Sequence, residues 1–169
     1  MQFSMEDNFL YLTAGDEAKV KVFVLPVPPT PVESTTHPKL DSKYSTPVPL
    51  THSKAASGLQ VLPGGRILFS QSSFTNPNEA YVINDLKTVE QAILANGEPT
   101  KIETKMEKVT DFWTADLKGK NLSEGEEFWF QGAEGKDVQG WTLKPKGWND
   151  GDAKKWPVVL LIHGGQQDV

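Results

Sequence analysis

The sequence predicts a mainly β chain whose last residues open an α/β unit, and three observations carry that prediction. Short apolar runs, several of them alternating, recur with turn residues about every ten positions, the cadence of antiparallel β-structure. The composition is that of a folded protein, with 37% hydrophobic and 23% charged residues in 169. Residues 156–168 read WPVVLLIHGGQQD and hold Val158, Val159, Leu160, Leu161 and Ile162 in unbroken succession. A run without alternation fits a strand buried on both faces of a mostly parallel sheet.

The elements follow in order. Residues 9–25, FLYLTAGDEAKVKVFVL, hold two strand-like runs, the second alternating through Val20, Val22 and Val24, with AGDEA as the turn of a β-hairpin. Residues 26–49 contain seven of the twelve prolines and a Ser/Thr-rich stretch, which predicts a surface loop of polyproline character outside the core. Its Pro28-x-x-Pro31 spacing suits a plain inter-strand loop better than an SH3 ligand. Residues 59–84, LQVLPGGRILFSQSSFTNPNEAYVIN, read as strand, turn at Pro63-Gly64-Gly65, strand, turn at Asn76-Pro77-Asn78, strand. Short antiparallel strands so spaced suggest a propeller blade or a sandwich. A helix-like interval at 86–94 lacks a strong apolar face and reads as a connection between blades. After an aromatic cluster and a polar turn, strands are expected at 128–131 and 138–143 around AEGKD. A second polar turn, PKGWNDGDAKK, leads into the apolar run. The passage from half-buried antiparallel strands to an α/β opening puts the domain boundary near 119–127, dividing the chain into 1–122 and 123–169.

Composition also excludes. The net charge is −5 with no Lys/Arg cluster, which argues against nucleic acid or an anionic membrane as partner. The longest apolar run, five residues, falls far short of the roughly 18 that span a membrane. The N-terminal MQFSMEDNFLYL lacks the basic flank, long apolar stretch and small-residue cleavage site of a signal peptide. With no cysteine, disulfides, thiol catalysis and Cys-ligated zinc are excluded, and His37, His52 and His163 are not spaced as metal ligands. No metal and no cofactor is expected.

Two motifs carry chemistry. An H-G-G turn leaving the C-terminal end of a buried strand is where an α/β-hydrolase places a backbone N–H that stabilises the oxyanion of acyl transfer, because glycine lets the main chain approach a reacting carbonyl. Gly164 and Gly165 are the candidate catalytic residues, with Gly165 the donor; the bland alternative is an ordinary Gly-Gly turn. His163 ends the strand before that loop and is structural. The nucleophile elbow G-x-S-x-G is absent: its nearest approach, NLSEG at 121–125, has Asn121 in the first glycine position and sits in a polar turn, so Ser123 is not a nucleophile. The same letters spell N-x-S, which makes Asn121 a glycosylation acceptor if the protein enters the secretory pathway.

Three stretches carry a resemblance: ILFSQSSFTNPNEAYVIN at 67–84, FWFQGAEGKDVQGWTLKP at 128–145, and WPVVLLIHGG at 156–165. They resemble the prolyl oligopeptidase family of serine peptidases, in particular the fungal dipeptidyl-peptidase V type. The resemblance implies a β-propeller over an α/β-hydrolase whose Ser, Asp and His lie downstream of the H-G-G turn. This chain would hold the end of the propeller and the start of the hydrolase, and both ends are expected to be truncations. It departs from the family in continuing H-G-G with Gln166 where a proline is usual. The implied function is that of a fragment of a secreted serine dipeptidyl-peptidase, acting on peptide substrates through an acyl-enzyme, with this chain inactive for want of the triad. The alternatives are a non-catalytic β-rich binding module and a truncated esterase or lipase.

Overall fold

The computed structural model describes residues 1–6, 8–28, 44, 46–96, 102, 104–151 and 153–162. They form two four-stranded antiparallel meanders, a helix on their flank, and a separate two-stranded hairpin.

The first meander comprises β1 (Gln2–Phe3), β2 (Phe9–Asp16), β3 (Lys19–Pro26) and β4 (Val48–Pro49), neighbours in chain order. The expected hairpin is its centre, with Tyr11 opposite Val24 and Phe9 opposite Pro26. Its turn is tighter than AGDEA suggested. Only Glu17 and Ala18 leave the ladder, at φ 50° and 55°, the left-handed pair of a two-residue turn whose twist matches that of the strands it joins. Val22 and Val24 are buried while Val20, beside the turn, is half-exposed.

The second meander comprises β5 (Ala55–Leu62), β6 (Arg66–Ser72), β7 (Glu79–Ile83) and β8 (Met106–Lys108), again in chain order. Gly64 and Gly65, at φ 79° and 67°, make the turn between β5 and β6. A bulge between Ser57 and Gln60 bends β5 where Gly58 takes φ 62°. The period of two puts Ile67, Phe69 and Gln71 of β6 on the inner face, opposite Ile83, Tyr81 and Glu79 of β7. The Phe69 and Tyr81 rings lie 6.2 Å apart and nearly parallel, a cross-strand aromatic pair.

Neither meander buries its apolar face alone. Phe9, Tyr11, Val22, Val24, Val48 and Leu50 of the first join Ala56, Ile67, Phe69, Tyr81 and Ile83 of the second in one core. The helix α1 (Leu86–Asn96) completes it. Its stripe is narrow but real: Leu86, Val89 and Ile93 are all buried, spaced three and four apart on one face. The interval that lacked an apolar face in the sequence is therefore a core element. Two ends of the expected proline-rich loop are core as well. Pro26 and Val48 are fully buried, and Val48 pairs with Val24; both prolines of these short strands sit at a strand end, where a missing N–H costs no ladder bond. Residues 29–43 lie outside the described set, Pro31 among them.

Beyond α1 the character changes. Among the described residues, none after Ile93 belongs to the buried core. A short helix, α2 (Thr114–Leu117), precedes the hairpin of β9 (Glu126–Gln131) and β10 (Asp137–Thr142). This is the expected strand pair, in register from Gln131–Asp137 to Glu126–Thr142. Phe128 lies over Gly140, where any Cβ would strike its ring. The run 158–162 forms no strand among the described residues, and its five side chains are between 78% and 88% exposed. No described strand lies beside it to satisfy its backbone, so the apolar pattern alone does not make it part of a sheet.

Two variants test this division of labour. Phe69→Ala should cost about 3–5 kcal/mol in urea unfolding, the range for a buried aromatic truncation. Leu161→Lys should leave that stability unchanged and reduce concentration-dependent self-association measured by light scattering, because an exposed apolar run invites edge-to-edge contact. Equal destabilisation by both would show that 158–162 is packed in solution.

Candidate functional site

The residues to which the sequence assigned oxyanion chemistry, Gly164 and Gly165, lie outside the described residues, as does His163. What is described is the approach to them. Trp156 is half-buried, with its ring 6.2 Å from that of Trp148 and the Lys154 ammonium 3.6 Å from its ring centre. Asn121 stands exposed between α2 and β9, accessible as a glycosylation acceptor requires. Ser123 accepts a hydrogen bond from the Lys144 amide at 3.0 Å and donates to the Glu124 carbonyl at 3.3 Å. Its hydroxyl thus ties the segment before β9 to the end of β10, and no described histidine faces it as a base.

The structure buries a carboxylate on the inner face of the second meander. Glu79, at the start of β7, is 1% exposed. One carboxylate oxygen accepts from the Phe112 amide at 2.8 Å and the Trp113 amide at 3.3 Å; the other accepts from the Thr110 hydroxyl. The Lys108 ammonium lies 3.4 Å away and also pairs with Asp111 at 2.9 Å. Burial pushes the Glu79 carboxyl up, but these hydrogen bonds outweigh it and hold the group below its ordinary value. Asp111 is likewise held low, by the Thr114 hydroxyl and Lys108. The result is a latch between the inner face of β7 and the entry to α2.

A second polar link joins the hairpin to the first meander. Lys19, beside the β2–β3 turn, pairs with Glu127 of β9 at 2.6 Å, and Gln139 of β10 donates to Glu127 at 2.8 Å and to the Glu17 carbonyl at 2.9 Å. The hydrogen bond from Lys19, then those from Gln139 and Trp129, draw the Glu127 carboxyl below its usual range.

Two cavities flank this frame. The larger, about 530 Å³, lies between the β1–β2 edge, the Gly64–Gly65 turn and α1. At its wall the Tyr11 hydroxyl donates to Glu90 at 2.6 Å; burial and this carboxylate push the phenol far above its ordinary value. The smaller, about 330 Å³, lies where the β2–β3 turn, the open end of the β5–β6 pair at Ala55 and Ser72, and the hairpin meet. The sequence signalled neither, because both are assembled from residues tens of positions apart. Among the described residues no cluster of metal-ligating side chains occurs, and no helix is long and apolar enough to cross a membrane.

The described residues are thus a mainly β assembly of packed antiparallel meanders joined by polar links to a separate hairpin. No protein-family model matches the chain. Over 120 residues, 71% of its length, it is 28% identical to dipeptidyl-peptidase 5 of Schizosaccharomyces pombe, and the match spans 14% of that protein. The chain is therefore similar to a dipeptidyl-peptidase, a hydrolase, over a small part of that enzyme's length.

The Glu79 latch gives a pH prediction. A carboxyl whose folded pKa lies below its unfolded one contributes stability above the unfolded value, and loses it as pH falls through the folded value. The Tm of the chain should fall between the ordinary glutamate range near 4.5 and more acidic pH, and Glu79→Gln should lower the Tm at pH 7 while flattening this acid limb. An unchanged acid limb in the variant would assign the pH dependence to other carboxylates.

Proposed function

We propose that the chain is a segment of a secreted serine dipeptidyl-peptidase of the prolyl oligopeptidase family, with residues 1–122 from the end of a β-propeller and 123–169 from the start of an α/β-hydrolase domain. The observation that carries this reading is the similarity to dipeptidyl-peptidase 5 across 71% of the chain. Two successive four-stranded meanders support it, since a propeller is built of such sheets. In the complete enzyme, Gly165 would donate its N–H to the oxyanion and Gly164 would shape the turn, while a downstream serine, activated by histidine, would attack the peptide carbonyl and release an N-terminal dipeptide.

The chain from 1 to 169 contains no G-x-S-x-G, and backbone donors alone form no acyl-enzyme. Purified chain should therefore hydrolyse no dipeptidyl chromogenic substrate. The transcript carrying these codons should continue in frame into G-x-S-x-G, then the acid, then the histidine. Turnover by the chain that a serine-reactive phosphonate blocks, or a transcript without the elbow, would overturn the reading. In the complete enzyme, Gly165→Pro should lower kcat by about 10²–10³, the usual loss for one oxyanion donor, with little change in KM.

Secretion has its own test. Expressed through a eukaryotic secretory pathway, the chain should carry one glycan, lost with Asn121→Gln and after treatment with an N-glycosidase. A single unglycosylated mass from the secreted wild type would remove Asn121 from the reading.

A further inference from the structure

We infer that the 330 Å³ cavity between the second meander and the β9–β10 hairpin is a binding site for a small aromatic carboxylate. The inference rests on the walls and rim of the cavity and is independent of the peptidase reading. Its volume falls at the small end of the range for ligand sites.

One wall is aromatic. Phe74 and Trp141 meet at 5.6 Å with their planes 60° apart, and Phe74 remains half exposed. Gly125 sits against both: a Cβ there would fall 2.5 Å from Phe74 and 2.8 Å from Trp141. No larger residue leaves this wall intact. The Lys19 ammonium lies 5.1 Å from the centre of the Trp141 ring, so the half-exposed Phe74 ring is the one that offers π-surface to a flat apolar body, with Trp141 behind it.

The rim is cationic and hydroxylic. Two ammonium groups line the cavity, Lys19 and Lys54. That of Lys19 is committed to Glu127 at 2.6 Å. Lys54 lies 5.6 Å from the centre of the Tyr81 ring and has no carboxylate partner among the described residues. Ser53 and Ser72 line the same space and supply hydroxyl donors. Glu124 is the one acidic residue in the lining, and one of its oxygens is taken by the Thr75 hydroxyl at 2.5 Å. A ligand that stacks a ring on Phe74 and sets a carboxylate on Lys54 satisfies what the cavity leaves open; a cationic ligand would meet an ammonium that has no carboxylate partner among the described residues. Charge-assisted hydrogen bonds give such a site its selectivity for the anion.

The test uses the whole chain and 3-phenylpropionate as probe, followed by ligand-observed NMR and calorimetry, with 3-phenylpropionamide and propionate as controls. Saturable binding of the acid is expected, with at least about tenfold weaker binding of the amide and of the ring-free propionate. Lys54→Met should weaken the acid about tenfold or more and leave the amide unchanged. Glu124→Gln should tighten the acid, by removing the like charge. These opposite shifts separate a site from a general loss of structure, since misfolding would weaken both ligands in both variants. Non-saturable binding of the acid, equal binding of acid and amide, or an acid affinity unmoved by Lys54→Met would each overturn the assignment.

Discussion

Everything else in the structure depends on the mutual burial of two sheets that cannot cover themselves. A four-stranded antiparallel meander has one apolar face, and water on that face forfeits most of what its side chains contribute, roughly 1.5–3 kcal/mol for each large one. Here Tyr11, Val22 and Val24 of the first meander find Ile67, Phe69 and Ile83 of the second, and α1 closes the flank with Leu86, Val89 and Ile93. The helix is held twice. Its apolar stripe packs on the core, and Glu90 from the same helix receives the Tyr11 hydroxyl, so a buried phenol that would otherwise be unsatisfied becomes part of the fastening.

The C-terminal third is attached on different terms. Among the described residues no side chain after Ile93 belongs to the buried core, and the hold of this third on the meanders is polar and aromatic: the Glu79 latch at α2, the Lys19–Glu127 pair and the Gln139 bridge at the hairpin, and the Phe74–Trp141 contact. The Lys19–Glu127 pair is mostly buried, with side chains 15% and 24% exposed, and the Glu79 carboxylate with its several donors is fully buried, so breaking either is costly. Opening of the hairpin away from the meanders leaves the apolar core intact and is therefore a lower-energy event than unfolding of the core. The junction that would open is the one that forms the smaller cavity.

How much of this was legible in the sequence follows from the range of each signal. Alternation at Val22 and Val24, the glycines at 64 and 65, and the polar AEGKD turn are local, and the strands they predict are all present. Alternation also contained an unread message. Glu79 precedes Tyr81 and Ile83 by two and four positions, so a β7 with those residues inward must turn Glu79 inward too. A charged residue on the apolar period was the sign of a buried carboxylate that needs partners. The helix face is faint in the sequence because three buried positions in eleven residues are enough when a sheet face is already waiting. Val48 and Pro26 are core within a proline-rich stretch because proline density speaks for local backbone, while burial is decided by the neighbour across the ladder. The cavities had no sequence signature, since their walls are brought together only by the packing of the sheets.

The same reasoning bears on the oxyanion proposal. A backbone donor works only if it is held within about 0.5 Å of its place, and a loop at the end of a strand is held only as well as the strand. Residues 158–162 have no ladder partner among the described residues and expose all five apolar side chains. In the proposed enzyme, neighbouring strands would fix this run from both edges, and helices would cover both faces, before Gly165 could present its N–H to a transition state. On that proposal, positioning a nucleophile and supporting the oxyanion loop are separate requirements. A serine and a histidine brought to the oxyanion loop would then stay idle until the apolar run had a sheet to join.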